Sequence, residues 1–226
     1  MLSQVRYGVA CPLANRYNWC VADDPANAVA GGSEGAIPVE DERLLEAARR
    51  VLADAGWEGL TVEAVAESAG LSRVTAWRLG ASREALVATL LSELDRDYRA
   101  AMWPVLVADG NARDRLDAAV EALFDVVDAH LPLLLASDTI FHRASSSRAS
   151  FNEPFIRLFR DGIVDRSLLG AGDDPEESAD FVFNALCWPY VHLRGRHGWT
   201  AERARRRFHD LIAHGLLSPA PSRSSA

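Results

Sequence analysis

Between Asp41 and Leu86 the chain repeatedly stops and restarts a helix, and that punctuation constrains the fold more than any other feature. Leu44, Leu45, Ala48, Val51, Leu52 and Ala55 fall on one face of a helix that Gly56 stops. Val62, Val65, Ala66 and Ala69 repeat the pattern in a second, short helix ending at Gly70. Ser72 stands at an N-cap position and opens a third helix through about Leu79. Gly80 breaks it, and Ser82 caps a long fourth helix running toward Ala108. Three short helices followed by a long one are a common way to build a helix-turn-helix. Two helices crossing at a tight angle need a small residue where they touch, and a turn with positive φ needs glycine. Ala66 supplies the contact and Gly70 the turn. Val65, Ala69, Leu71, Ala76 and Leu79 are expected to point inward. The exposed side of the third helix then presents Arg73, Val74, Thr75, Trp77 and Arg78, a mix of cationic, hydrogen-bonding and methyl groups suited to a DNA major groove.

The remaining chain also reads as helical. Leu116, Ala119, Val120, Leu123, Phe124 and Val127 form a stripe that ends near Leu131-Pro132, and Leu133 to Phe141 is an apolar helical segment. Ser145 to Arg148 reads as a loop, followed by helices at about 152–168, 176–196 and 201–217. Residues 1–40, with Pro12, Pro25, Pro38 and the run Gly31-Gly32-Ser33-Glu34-Gly35, read as a flexible arm, and 218–226 as a disordered tail. No alternating strand pattern occurs. The expected fold class is all-α, with a three-helix helix-turn-helix domain at 41–86 joined by a long helix to a larger helical domain at 87–217.

Charge bears directly on the partner. All 24 basic residues are arginine, against 32 acidic residues, giving a formal charge of −8. An acidic total argues against nucleic acid until it is divided along the chain. Residues 72–83 hold Arg73, Arg78 and Arg83 and no acid, while 87–193 carry 18 acidic residues against 9 arginines. Local positive charge at the groove binds phosphate, and charges more than about 8 Å away are largely screened. Arg73, Val74, Thr75 and Trp77 are therefore assigned to base edges, with Thr61, Ser72, Arg78 and Arg83 as phosphate candidates.

Other classes are disfavoured. No apolar run approaches the roughly 18–20 residues of a membrane span. Three cysteines, Cys11, Cys20 and Cys187, are too few for a disulfide scaffold and suit a reducing cytoplasm. There is no H-E-x-x-H zinc helix, and without lysine there is no phosphate loop closing on Gly-Lys. No catalytic residue, metal site or cofactor is expected, and the chain does not read as an enzyme.

Residues 41–86, DERLLEAARRVLADAGWEGLTVEAVAESAGLSRVTAWRLGASREAL, resemble the DNA-binding domain of the TetR family of transcriptional regulators. The resemblance implies that residues 87–217 bind a small-molecule effector and form a homodimer. It further implies a repressor that leaves its double-stranded DNA operator when the effector enters. Where the family usually runs apolar, Tyr, Arg or Lys, His, Phe, this chain has Ala76-Trp77-Arg78-Leu79-Gly80. Glycine cannot replace the core-packing Phe, so Leu79 or Trp57 is expected to fill its volume. Arg83 stands where lysine is usual. The combination SRVTAWRLG followed by SR is also similar to a subgroup of quorum-sensing-lactone degradation regulators, which implies a lactone effector.

For an effector pocket, Trp103, Phe124, Phe141, Phe155, Phe159, Trp188 and Tyr190 are the candidate walls, with Phe183 beside them. His142 is the candidate orienting group, with His130 and His192 as others. An apolar or amphipathic ligand follows. The span FVFNALCWPYVHL is hydrophobic nearly all round, so the helices at about 176–196 and 201–217 are the expected dimer surface, with a kink at Pro189. Arg194, Arg196, Arg203, Arg205, Arg206 and Arg207 have only Glu202 nearby in sequence, leaving solvent, DNA or a partner's acids to receive them. The alternative function is a helical binding or adaptor protein whose helix-turn-helix, altered at Leu79-Gly80, no longer binds DNA.

Overall fold

The computed structural model describes residues 38–136, 145–168 and 174–212, and every regular element among them is helical. The helices are α1 (Glu42–Gly59), α2 (Val62–Ser68), α3 (Arg73–Arg78), α4 (Arg83–Val107), α5 (Ala112–Ala129), α6 (Leu131–Ala136), α7 (Ser145–Val164), α8 (Pro175–Gly195) and α9 (Ala201–Leu211). The all-α expectation holds. Phe141, His142, Cys11, Cys20, most of the expected arm and the expected tail lie outside the described residues.

Local chemistry sets the boundaries in the head. Thr61, Ser72 and Ser82 each cap the helix that follows, their hydroxyl oxygens accepting from Ala64, Thr75 and Ala85 N–H at 3.1, 3.1 and 3.0 Å. Such a cap is worth about 1 kcal/mol. Helices α2 and α3 end in the same way. Leu71 N–H donates to Ala66 C=O at 2.8 Å and Gly70 N–H to Glu67 C=O at 3.0 Å, across Gly70 at φ 68°. Ala81 N–H donates to Ala76 C=O and Gly80 N–H to Trp77 C=O, both at 3.0 Å, across Gly80 at φ 82°. Both are Schellman turns, in which a left-handed glycine lets the chain fold back onto orphan carbonyls. Gly80 is thus the stop for α3, and the deviation from the family pattern at this position has a backbone use.

Gly56, at φ 64° and ψ −162°, breaks α1 before one further turn at Trp57–Gly59. Val65 and Ala76 are buried as expected, and Ala69 and Leu71 pack partly against the core. Leu79 does not point inward: it is 38% exposed, because the Schellman turn places it at the outer edge of α3. Trp57, half-buried against the core, takes the volume instead. Val39, placed in the arm by sequence, is buried, and its N–H donates to Thr89 Oγ1 at 3.0 Å.

Helix α4, of 25 residues and about 37 Å at 1.5 Å per residue, carries the head onto the body. It packs along α5; α7 lies along α8; α8 also touches α5, α6 and α9. Short α6 packs against both α8 and α1, bridging body and head. At that junction a Cβ on Gly195 would come within 2.4 Å of Leu135 Cδ1, so glycine permits the close approach of α8 to α6. One further expectation fails: Ser145 to Arg148, read as a loop, belongs to α7. Pro189 lies inside α8, as Pro104 lies inside α4 and Pro154 inside α7.

The arginines near the C-terminal end of the fold are largely pinned from within. Arg194 Nε bonds Asp128 Oδ1 at 2.6 Å, and Arg205 reaches Glu121 at 2.7 Å, Asp125 at 2.8 Å and Asp128 at 2.9 Å. The Arg203 guanidinium stacks 3.8 Å over the Trp199 ring. Sequence proximity to Glu202 hides the acidic partners, Glu121, Asp125 and Asp128, which sit on α5.

Candidate functional site

The first site is the outer face of α3. Ser72 Oγ is engaged by Thr75 N–H at 3.1 Å and lies 2.8 Å from Thr75 Oγ1, which fixes the first turn of the helix. Arg73, Val74, Thr75, Trp77 and Arg78 are all exposed, Trp77 at 75% and Val74 at 59%, while Ala76 is fully buried on the opposite side. An exposed tryptophan of this degree is not a core residue. Thr61 is exposed at the start of α2, so its hydroxyl both caps that helix and faces outward.

Two arginines have partners that sequence reading missed. Arg73 Nε lies 2.9 Å from Glu63 Oε1, because α2 and α3 pack together. Both side chains are exposed, so this pair is weak and easily exchanged for a phosphate. Arg83 is held more firmly. Its guanidinium lies 4.0 Å over the Trp57 ring and donates to Trp57 C=O at 2.5 Å. It braces α4 against α1, and that internal use accounts for its placement away from the outer surface of α3. Arg50 similarly ties α1 to α2, donating to Ser68 Oγ and C=O at 3.3 and 3.0 Å.

The second site is a cleft among five helices, enclosing about 690 Å³ of empty space including its open mouth. Leu94 and Tyr98 come from α4, Leu123, Val126 and Val127 from α5, Leu134 from α6, and Phe151 and Asn152 from α7. Helix α8 contributes Asp180, Phe183, Asn184, Cys187 and Trp188. These five fall at i, i+3, i+4, i+7 and i+8, so the face was present in the sequence as a helical stripe, but its polar members hid it.

Of the predicted walls, Trp188 lines the cleft, as does Phe183. Phe124, Phe155, Phe159 and Tyr190 are buried in the core instead. Phe124 stacks on Tyr190 with ring centroids 4.0 Å apart, and Tyr190 donates its hydroxyl to Asp128 at 2.8 Å. Burial and that bond push the Tyr190 hydroxyl up to about 12. Trp103 is 62% exposed near the end of α4, outside the cleft. His130 is bonded to Asp97 at 3.0 Å.

The cleft interior is apolar, and its one tyrosine hydroxyl among the described residues is already used. Tyr98 donates its hydroxyl to Phe151 C=O at 2.6 Å, and burial raises its pKa well above the ordinary tyrosine value. Burial likewise pushes the Cys187 thiol up to about 12, so it stays neutral and unreactive at physiological pH. Leu134 joins the two sites: it walls the cleft while its helix, α6, packs on α1 of the head. Among the described residues, no group of three or more His, Cys, Asp or Glu is placed to hold a metal ion, and no helix is long and apolar enough to cross a membrane.

A helix-turn-helix head on a helical body with an apolar cleft defines a class, and comparison with known proteins agrees. Residues 44–90 match the family described as bacterial regulatory proteins, tetR family. Among solved structures, the chain is similar to the fatty acid degradation regulator FadR from Bacillus halodurans, with a TM-score of 0.64 and 15% identity over 77% of this chain and 95% of that one. The ketosteroid transcriptional regulator KstR2 of Mycobacterium tuberculosis gives a TM-score of 0.61 and 21% identity over 80% and 97%. The TetR family transcriptional regulator PfmR from Thermus thermophilus gives 0.62 and 21% over 77% and 98%. At these identities the likeness establishes a shared fold. No curated protein matches the chain in sequence. Neither the family match nor these relatives support the subgroup of quorum-sensing-lactone degradation regulators, whose short motif around α3 was its whole basis.

Proposed function

We propose that this protein is a ligand-responsive, DNA-binding transcriptional regulator that acts in the cytoplasm as a homodimeric repressor. The observation that carries the reading is the outer face of α3, where Arg73, Val74, Thr75, Trp77 and Arg78 stand exposed on a capped helix packed through Ala76. Arg73, Val74, Thr75 and Trp77 read base edges, while Thr61, Ser72 and Arg78 hold phosphates; Arg83 acts mainly as a brace. The tetR family match over this segment supports it.

An effector enters the cleft and displaces Leu134, and α6 carries the movement to α1. Two relatives named for fatty acid degradation and for ketosteroids support a small apolar or amphipathic effector. The exposed Phe181 on α8 and Leu211 on α9, at 62% and 46%, support pairing of two copies through these helices in a four-helix bundle. A two-fold dimer would then present two copies of α3 to successive major grooves, about 34 Å apart.

The test is a gel shift on the DNA upstream of the protein's own coding region, repeated over a salt series. Phosphate contacts make log affinity fall linearly with log salt. A second reading, an adaptor with a degenerate helix-turn-helix, draws on Arg73 and Arg83 being engaged by Glu63 and Trp57. Failure to retain any fragment from a genomic DNA pulldown would favour that reading.

A further inference from the structure

The mouth of the cleft has a one-sided hydrogen-bonding character. Asn152 Nδ2 donates to Asp180 Oδ1 at 2.8 Å, and Asn184 Nδ2 donates to Asp180 Oδ1 at 3.0 Å and to Asp180 C=O at 2.7 Å. The chemistry fixes both amide orientations, because a flipped carboxamide would set its oxygen against a carboxylate. The amide nitrogens of Asn184 and Asn152 are therefore both engaged by Asp180. What these residues chiefly offer an entering molecule is the carboxylate of Asp180 and two amide carbonyl oxygens, against one remaining N–H of Asn152. Deeper in, Tyr98 has committed its hydroxyl proton to Phe151 C=O, and the walls are apolar. No arginine or histidine is among the described lining residues.

We infer that the cleft selects a cationic amphiphile: an apolar body seated among Leu94, Val127, Leu134, Phe183 and Trp188, with a protonated amine head held by Asp180, Asn152 and Asn184. This deepens the proposed effector role of the cleft and rests on that reading only for its biological meaning. A carboxylate head meets the like charge of Asp180, which costs affinity, and few donors among the described lining residues offset it. An ammonium instead supplies three donors to an acceptor set.

The test uses full-length protein with three probes of equal chain length: decylamine, decanol and decanoate. All are kept far below micelle-forming concentration at pH 7.5, where an alkylamine is protonated as a lysine side chain is (pKa about 10.4). Isothermal titration calorimetry should show decylamine binding at least tenfold more tightly than decanoate, with decanol between them. Asp180→Asn, a change at an exposed position, should weaken decylamine at least tenfold, about 1.4 kcal/mol, and leave decanol within twofold. Raising salt should weaken decylamine only. Decanoate binding as tightly as decylamine, or decylamine binding unchanged in Asp180→Asn, overturns the inference. Operator release is read separately by gel shift. If decylamine binds as expected but leaves the operator complex intact, the inference stands and the effector-release reading fails.

Discussion

The guanidinium of Arg83 lies flat over the indole of Trp57, 4.0 Å from its centre, and donates to the same residue's carbonyl. The first residue of α4 thus locks onto the last turn of α1, where sequence spacing suggested a contact with DNA. Arg83→Ala is expected to destabilise the protein by about 1–2 kcal/mol, from the lost cation–π contact and hydrogen bond together. Arg83→Lys keeps the charge but not the planar stack, and should recover less than half of the loss in urea denaturation. Wild-type stability in the lysine variant would return the residue to the phosphate contacts.

At the reading face, Arg73 and Glu63 are both exposed and paired at 2.9 Å. Arg73→Ala should lower operator affinity about tenfold or more and reduce the slope of log affinity against log salt by about 1, with helical circular dichroism unchanged. Glu63→Gln should raise affinity, because it removes a competing acid. If neither variant shifts the gel-shift midpoint, α3 is not the reading helix.

Trp188 and Phe155 separate cleft from core. Phe155 is fully buried behind the cleft wall, edge-on to Phe183 with ring centroids 5.8 Å apart, and Phe155→Ala should cost about 3–5 kcal/mol of stability. Trp188 is half-buried in the cleft wall, and Trp188→Ala should cost less in thermal unfolding while abolishing the stabilisation given by a bound amphiphile.

The α5–α8–α9 junction should weaken in acid. Burial alone would raise the Asp128 pKa, but bonds from Arg205, Arg194 and Tyr190 outweigh it and hold the carboxyl below its ordinary 3.8. Glu121 behaves alike: His209 and Arg205 overcome its desolvation and hold it below 4.5. Both folded-state values lie under the unfolded ones, so their stabilisation is complete above about pH 5 and fades as pH falls through the carboxylate range. Urea midpoints between pH 6 and pH 3 should decline, and less steeply in Asp128→Asn. A slope equal to wild type would show that Asp128 does not supply the linkage.

Gly70→Ala and Gly80→Ala test the two Schellman turns. Each forces a side chain to φ near 68° or 82°, with open space around the added methyl, so strain alone is measured. The expected loss is about 1–2 kcal/mol per site in thermal unfolding, and the Gly70 variant should additionally bind DNA less well because α3 is mis-set on α2.

How much could be read along the chain follows from how local each determinant is. A cap such as Ser72 and a left-handed stop such as Gly70 act within four residues, so the residue order alone places α1 to α4 closely. The stripe of α5 was equally visible. The misplacements share a different cause. Whether Tyr190 lines a cleft or packs on Phe124 depends on α5, and whether Arg205 is solvated depends on Glu121 and Asp128, more than seventy residues earlier. Asp180 and Asn184 read as an ordinary polar helix edge until α7 brings Asn152 against them. The helices, their ends and the existence of a reading face are thus written locally in the residue order. Packing of distant helices settles the rest: which aromatics are core, which arginines are paired and what the cleft presents to a ligand. Burial and pairing depend on neighbours that the chain supplies from far away, and no local pattern encodes them.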